Sequence, residues 1–295
     1  MHGWIILDKP LGLGSTQAVA AVKRNLRSAG FGKVKVGHGG TLDPLATGVL
    51  PIALGEATKL CGRMLDASKT YDFTICFGTE TSGLDAEGEV VATSDVRPTL
   101  EQVQQALAQF TGPIEQIPPA YSAIKIDGKR AYARVRDGED INIPARSVMI
   151  HDLEIVEISA LADLKVIDVK VRVVCSAGTY IRALARDIGE QLGVGGHLTE
   201  LRRTRSGVFD SMVTLAELQE NPEVMDLATA VKTGFQHLVL SEAQTFKAVN
   251  GVRLSAPTDL DTGHVGLISP DGRAVGLFDN SESVLHPLVV FATNE

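Results

Sequence analysis

Between Tyr71 and Phe77 the large residues Tyr71, Phe73, Ile75 and Phe77 alternate with Asp72, Thr74 and Cys76. A period of two marks a strand with one buried face, so a strand is predicted here. Elsewhere the period is helical. Val19, Val22 and Leu26 predict a helix over 17–27. Leu100, Val103, Leu107 and Phe110 predict another, begun by a Thr99/Gln102 capping box and closed by Gly112. Ile181, Leu184, Ile188 and Leu192 predict a third over about 180–192, stopped by Gly193. Trp4 to Leu7 reads as a short strand, and 146–175 as three strand-like runs ending in VIDVKVRVVCS. From about residue 236 the character changes to a capped helix at 241–250, glycine-punctuated strands, a PDG turn at 270–272 and a final LHPLVVF strand. The expected organisation is α+β, with a large part over 1–235 and a small β-rich part over 236–295.

Composition places this pattern in a globular protein. The 295 residues are 44% hydrophobic and 22% charged, and no apolar run approaches the roughly 20 residues of a bilayer span. MHGWIILDKP lacks the basic n-region of a signal peptide, which makes the cytoplasm the expected location and a membrane partner unexpected. Three widely spaced cysteines fit neither a disulfide framework nor a CxxC site, and seven histidines form no HxxxH or HExxH pair. No metal and no cofactor are predicted. The net charge of -8 argues at first against a nucleic-acid partner, but the charge is uneven. Residues 1–78 hold nine Lys/Arg against five Asp/Glu, and 236–295 hold three against seven, so a basic face is compatible with the acidic total.

The candidate chemistry lies in GHGGTLDPLATGVLP, residues 37–51, where Asp43 stands among glycines, prolines and small residues. Gly37, Gly39, Gly40 and Gly48 permit backbone closed to other residues, and Pro44 drives Asp43 towards an extended conformation. On the dipeptide alone Asp-Pro reads first as an ordinary turn starter held by an Asx bond, and it is the whole stretch that points to an aimed carboxylate. GLGST at 12–16 lacks the GK[ST] ending of a phosphate loop and predicts no nucleotide site. Residues 117–139 combine a prolyl turn, a hairpin expected at Asp127-Gly128 and an Arg/Tyr-rich helix; Lys125, Lys129, Arg130 and Arg134 could meet phosphates beside Tyr121 and Tyr132. Arg202, Arg203 and Arg205 form a second basic cluster. Arg182 falls at a helix start, where the dipole disfavours a cation, and Asp43 is a candidate for the compensating anion.

GHGGTLDPLATG closely resembles the catalytic motif of the TruB family of tRNA pseudouridine synthases. LDKPLGLGST at 7–16, KTYDFTICFG at 69–78, CSAGTYIRALARDIG at 175–189 and HLTELRRTRSG at 197–207 resemble the same family, in its order. The resemblance implies a catalytic domain built on a mixed, largely antiparallel sheet flanked by helices, with an RNA-gripping insertion over about 117–145. It also implies a small PUA-like C-terminal module. The implied activity is isomerisation of uridine to pseudouridine in the tRNA T loop, at position 55, without cofactor or obligate protein partner, by a monomer that could also help tRNA fold. By the same resemblance Asp43 is the essential aspartate and Arg182 the arginine that pairs with it. Tyr71 stacks on the target base, Leu201 packs against the uracil, His38 fills the vacated space and Tyr180 is a further site tyrosine. Lys9-Pro10 braces the loop. Lys125, Lys129, Arg130, Arg202, Arg203 and Arg205 are the expected RNA contacts. One departure is Gly14, where the family more usually carries a hydroxyl; Ser15 keeps the second one.

Overall fold

The computed structural model describes residues 1–295 except 65–66, 123, 127, 140, 161–165 and 292–295; at 64, 125–126, 130, 132–133, 136, 160 and 166 it describes the backbone. The chain forms two compact units, one of Met1–Pro44, Gly48–Asp66 and Ser206–Glu295, the other of Leu45–Thr47 and Ala67–Arg205.

The first unit opens with β1 (Gly3–Lys9), α1 (Ser15–Ser28), β2 (Val36–His38), β3 (Ala46–Leu54) and α2 (Cys61–Met64). Strands β1 and β3 run antiparallel from Gly3 opposite Leu54 to Lys9 opposite Gly48, and His38 on β2 faces Ile52 of β3. Nearly every residue of β1 and β3 is buried. That is the pattern of strands covered on both faces, which read as continuous apolar runs without alternation.

The second unit holds β4 (Lys69–Phe77), β5 (Thr79–Thr81), β6 (Val90–Thr93), α3 (Leu100–Gln109), β7 (Gly112–Gln116), β8 (Lys125–Ile126), β9 (Lys129–Arg130), α4 (Ala131–Arg136), β10 (Arg146–Ala160), β11 (Val166–Cys175), α5 (Ile181–Gln191) and β12 (Gly196–Ser206). Its strand order is β12-β4-β11-β10-β7, antiparallel at β4/β11, β11/β10 and β10/β7. Strand β4 alternates buried and partly buried residues along its whole length, as its sequence predicts. Its polar face is tied to β11 by Arg172, which donates to both carboxylate oxygens of Asp72 at 2.8 and 2.9 Å. The three runs expected over 146–175 are two long strands. Irregularities between Ile150 and Asp152 and between Ile155 and Glu157 each leave one extra residue in β10 and shift its alternation, which breaks one strand into apparent pieces; a third, at Ser159/Ala160, leaves the extra residue on β11. Strands β8 and β9 pair as the expected hairpin, with Gly128 at φ +82; Asp127 lies outside the described residues.

The first unit resumes with α6 (Leu215–Glu220), β13 (Met225–Asp226), α7 (Leu227–Gly234), β14 (Gln236–Val239), α8 (Glu242–Val249), β15 (Leu254–Ser255), β16 (Gly263–Ile268), β17 (Ala274–Ser281) and β18 (Val284–Val290). Strand β13 pairs with β1. The last five strands make a separate sheet, ordered β14-β16-β17-β18-β15 and parallel only at β14/β16. The β-rich tail expected after 236 is therefore present, and the fold is α+β. It does not stand apart. Ile268, Leu277 and Phe291 share one buried cluster with Trp4, Val49, Ala53, Leu60 and Val231, and the expected boundary near 235 falls inside this unit. Among the described residues no helix is long and apolar enough to cross a membrane.

Candidate active site

Asp43 sits in the loop between β2 and β3, partly buried, and both of its chain neighbours are held by side chains from the N-terminal motif. Before it, Leu42 exchanges two hydrogen bonds with Ser15: the Leu42 N–H donates to Oγ at 2.8 Å and Oγ donates to the Leu42 carbonyl at 2.9 Å. After it, the Pro44 carbonyl accepts from the Gly12 N–H at 2.9 Å and from Lys9 Nζ at 3.2 Å. Lys9 is 0% exposed, and its ammonium also donates to the carbonyls of Pro10 at 2.9 Å and Leu13 at 2.6 Å. Lys9 braces the loop, as the resemblance implies, and Ser15 is a second brace. The loop glycines meet different demands. Gly40 has φ +121, reachable at low cost only without a Cβ, whereas a Cβ on Gly39 would lie 3.3 Å from the Trp4 ring. Gly37, in β2, has neither constraint. His38 closes β2 and is partly buried.

The second unit carries the remaining candidates. Tyr71 lies on β4 opposite Val173 and is 7% exposed. Leu201 lies on β12, and its carbonyl accepts from Thr47 Oγ1 at 3.5 Å, next to the start of β3. Tyr180 is the N-cap residue of α5 and Arg182 its second residue. The compensating charge that the helix start demands of Arg182 is present: Nη1 stands 3.3 Å from Asp85 Oδ2, both side chains being 7% exposed. Arg182 also donates to the carbonyls of Gly83 at 3.0 Å and Tyr121 at 2.9 Å. Asp85 escapes detection in the sequence because it lies in a turn-rich acidic stretch, TSGLDAEGE, with no periodicity. It is held in turn by the Glu87 N–H on Oδ1 at 3.1 Å, and Thr81 Oγ1 donates to its carbonyl at 2.7 Å. Leu84, beside it, has φ +63, an uncommon conformation for a leucine.

Strand geometry divides the basic cluster. Alternation on β12 puts Arg203 and Arg205 on the parity of Leu201, and Arg202 with Thr204 on the other. Arg205 is exposed and Arg202 partly so, its Nη1 3.4 Å from Thr47 Oγ1. Arg203 is 1% exposed, so its side chain is enclosed and not offered as a surface phosphate contact, whereas Arg205, two residues on and on the same parity, is exposed near the end of the strand. Lys129 is exposed, while the side chains of Lys125 and Arg130 lie outside the described residues. Cysteine chemistry has no place here. Burial pushes the Cys175 thiol up to about 11, and burial together with a hydrogen bond to Asp168 pushes Cys76 up to about 11, so both stay protonated at neutral pH. Among the described residues no cluster of His, Cys, Asp and Glu could hold a metal ion.

Comparison with known proteins gives this arrangement a family. Residues 27–181 match TruB family pseudouridylate synthase (N terminal domain), and 182–233 match the tRNA pseudouridylate synthase B C-terminal domain. The tRNA pseudouridine synthase B of Novosphingobium aromaticivorans is 62% identical over 209 residues, 71% of this chain and 68% of that protein. That of Paenarthrobacter aurescens is 42% identical over 302 residues, 99% of this chain and 96% of its own length. A chain of a solved Cbf5-Nop10-Gar1 complex is similar with TM-score 0.73 at 28% identity, covering 99% of this chain and 84% of that one. A chain of an H/ACA RNP bound to a substrate RNA containing 2'-deoxyuridine gives TM-score 0.73 at 26% identity, over 98% and 85%. The double brace around Asp43 and the buried Arg182 are thus features of a chain that belongs to the TruB family of pseudouridylate synthases.

Proposed function

We propose that this chain isomerises uridine to pseudouridine in tRNA, at the T-loop uridine conventionally numbered 55, with Asp43 as the residue that begins the chemistry. The observation that carries the reading is the brace on both sides of Asp43, in a chain whose relatives are named for tRNA pseudouridine synthesis. Isomerisation breaks the C1′–N1 bond, turns the uracil and joins C5 to C1′. No electron is gained or lost overall and no outside group is added, so one aimed carboxylate suffices. Attack on C1′, attack on C6 and removal of the C2′ proton each require Asp43 ionised. Arg182 is assigned to keep it so, a guanidinium near a carboxylate favouring the charged form.

The target lies inside a folded loop and must be flipped out, which costs unstacking that the protein has to offset. Tyr71 is assigned to stack on the flipped base, a contact of about 1–3 kcal/mol. Leu201 is assigned to pack on the uracil, Tyr180 to wall the site and His38 to fill the space left in the RNA. Phosphate contacts fall to Lys125, Lys129, Arg130, Arg202 and Arg205. The chain is proposed to act as a monomer in the cytoplasm, with the chemistry in 1–235 and a PUA-like tail contacting the RNA backbone. Incubation with an unmodified tRNA transcript and position-resolved detection of pseudouridine tests the reading. Product at position 55 is expected, and its absence, or product only elsewhere, refutes it.

A further inference from the structure

Gln116 ends β7, where the chain leaves the sheet for the insertion, and is 1% exposed. Its side-chain amide reaches a residue 64 positions later and holds both backbone groups of Tyr180: Oε1 accepts from the Tyr180 N–H at 2.8 Å, and Nε2 donates to the Tyr180 carbonyl at 3.1 Å. This reciprocal pair imitates a hydrogen-bonded rung of an antiparallel ladder and needs a donor and an acceptor side by side in one plane, which an amide supplies. Tyr180 begins α5 without a side-chain cap of its own, and its carbonyl also accepts from the Leu184 N–H at 3.0 Å. Gln116 therefore does from a distant strand what a capping side chain does locally.

Two more ties bind the same segments. Arg182 Nη2 donates to the Tyr121 carbonyl at 2.9 Å, and Arg186 Nη2 to the Ile117 carbonyl at 3.0 Å. Tyr180 also packs against Ile124, Ala131 and Ile143 of the insertion. The root of the insertion and the first turn of α5 are one fastened assembly, and Gln116 is the member with no charge of its own.

We infer that Gln116 is a positioning residue for the isomerisation: its amide sets the backbone from which Tyr180 and Arg182 project and locks it to the root of the insertion. This rests on the function proposed above. Gln116 touches neither base nor phosphate on this account, so its loss moves the rate and not the affinity.

Gln116→Met keeps the length and removes both bonds. It is expected to lower the single-turnover rate constant at saturating tRNA about 10- to 100-fold, the scale of an ångström-sized misplacement, with tRNA Kd within about threefold of wild type. Gln116→Glu supplies a second readout. As a carboxylate the new side chain accepts from the Tyr180 N–H and repels the Tyr180 carbonyl; as a neutral acid it can restore both bonds. The charged groups on the flanking elements are Arg146 opposite Gln116 in β10, and Arg182, Arg186 and Asp187 on α5; burial raises the Asp187 carboxyl, which Arg186 in turn lowers. The three guanidiniums favour the carboxylate, so this variant is expected to keep the N–H bond, lose the carbonyl bond and turn over about 3- to 30-fold more slowly than wild type at saturating tRNA, with tRNA Kd again within about threefold. A rate within about twofold of wild type for either Gln116→Met or Gln116→Glu overturns the inference. If the Met variant does not fold, the Glu variant decides alone. Absence of pseudouridine with wild-type protein refutes the functional reading and this inference with it; active wild type matched by both variants refutes this inference alone.

Discussion

Ser15→Ala is the sharpest test of the idea that Asp43 is aimed by its neighbours. Ser15 is the first residue of α1, where alanine is the better helix former, so the substitution costs the helix nothing. It deletes two bonds, of 2.8 and 2.9 Å, that clamp the Leu42 peptide groups beside Asp43. Each is worth about 1 kcal/mol net, and leaving a buried backbone group unsatisfied costs about 1–3 kcal/mol. Leu42 is 4% exposed, so water replaces the hydroxyl poorly and the expected loss of stability is about 2–4 kcal/mol. If the loop instead relaxes and keeps its hydrogen bonds elsewhere, about 2 kcal/mol appears as lost alignment, a roughly 30-fold drop in rate. Urea unfolding and single-turnover pseudouridine formation at saturating tRNA measure the two shares. Ser15→Thr keeps the hydroxyl and should recover most of the rate, even where its extra methyl costs stability. Wild-type rate and stability in Ser15→Ala would refute the reasoning, as would a Thr variant no better than Ala.

Asp43→Asn should abolish turnover while tRNA affinity stays within about tenfold, since the amide keeps shape but neither charge nor nucleophilicity; position-resolved detection of pseudouridine in tRNA incubated with the pure variant checks this. Asp85→Asn removes the carboxylate 3.3 Å from the buried Arg182 guanidinium and should lower stability by about 3 kcal/mol, the low end for a broken buried pair; a urea shift worth under about 1 kcal/mol would show the pair to be unimportant. Arg205→Ala should flatten the salt dependence of RNA binding by up to about one unit, and Arg203→Met should destabilise the fold without changing that slope. Truncation after Phe235 uncovers Trp4, Val49, Ala53 and Leu60, so loss of soluble folded protein is expected; a truncated protein melting like the full chain would show the shared cluster to be dispensable.

The apolar pattern was legible wherever one element faces one environment. Strand β4 and helices α1, α3 and α5 follow it closely, because their buried faces repeat at the period of the element itself. Strand β10 misled the reading because each bulge displaces the alternation by one residue. Arg203 misled it in another way: charge predicts exposure only on average, and Arg203 is enclosed while Arg205, on the same parity, is exposed, a difference that sequence alternation cannot give. Asp43, Tyr71 and Arg182 stand out as candidates through family motifs, but Asp85, Ser15 and Gln116 find their partners 97, 27 and 64 residues away, and local pattern carries no trace of such distances.

These partners share one physical cause. The segments that carry Asp43 and Tyr180 are a loop and a helix start, whose peptide groups lack the partners that sheet and helix interiors provide. Buried peptide groups must nonetheless be satisfied, and here side chains from other elements do it: Lys9 and Ser15 for the Asp43 loop, Gln116 for Tyr180, Arg182 for Gly83 and Tyr121. A side chain in that position fixes the backbone more tightly than water would, because its own placement is set by the packing of the element it grows from. If Asp43 and Tyr180 act as proposed, the residues that satisfy these peptide groups are also the ones that aim the reactive side chains. It follows that variants of these braces should lose rate without a matching loss of tRNA affinity, whereas variants of the exposed basic residues should do the reverse.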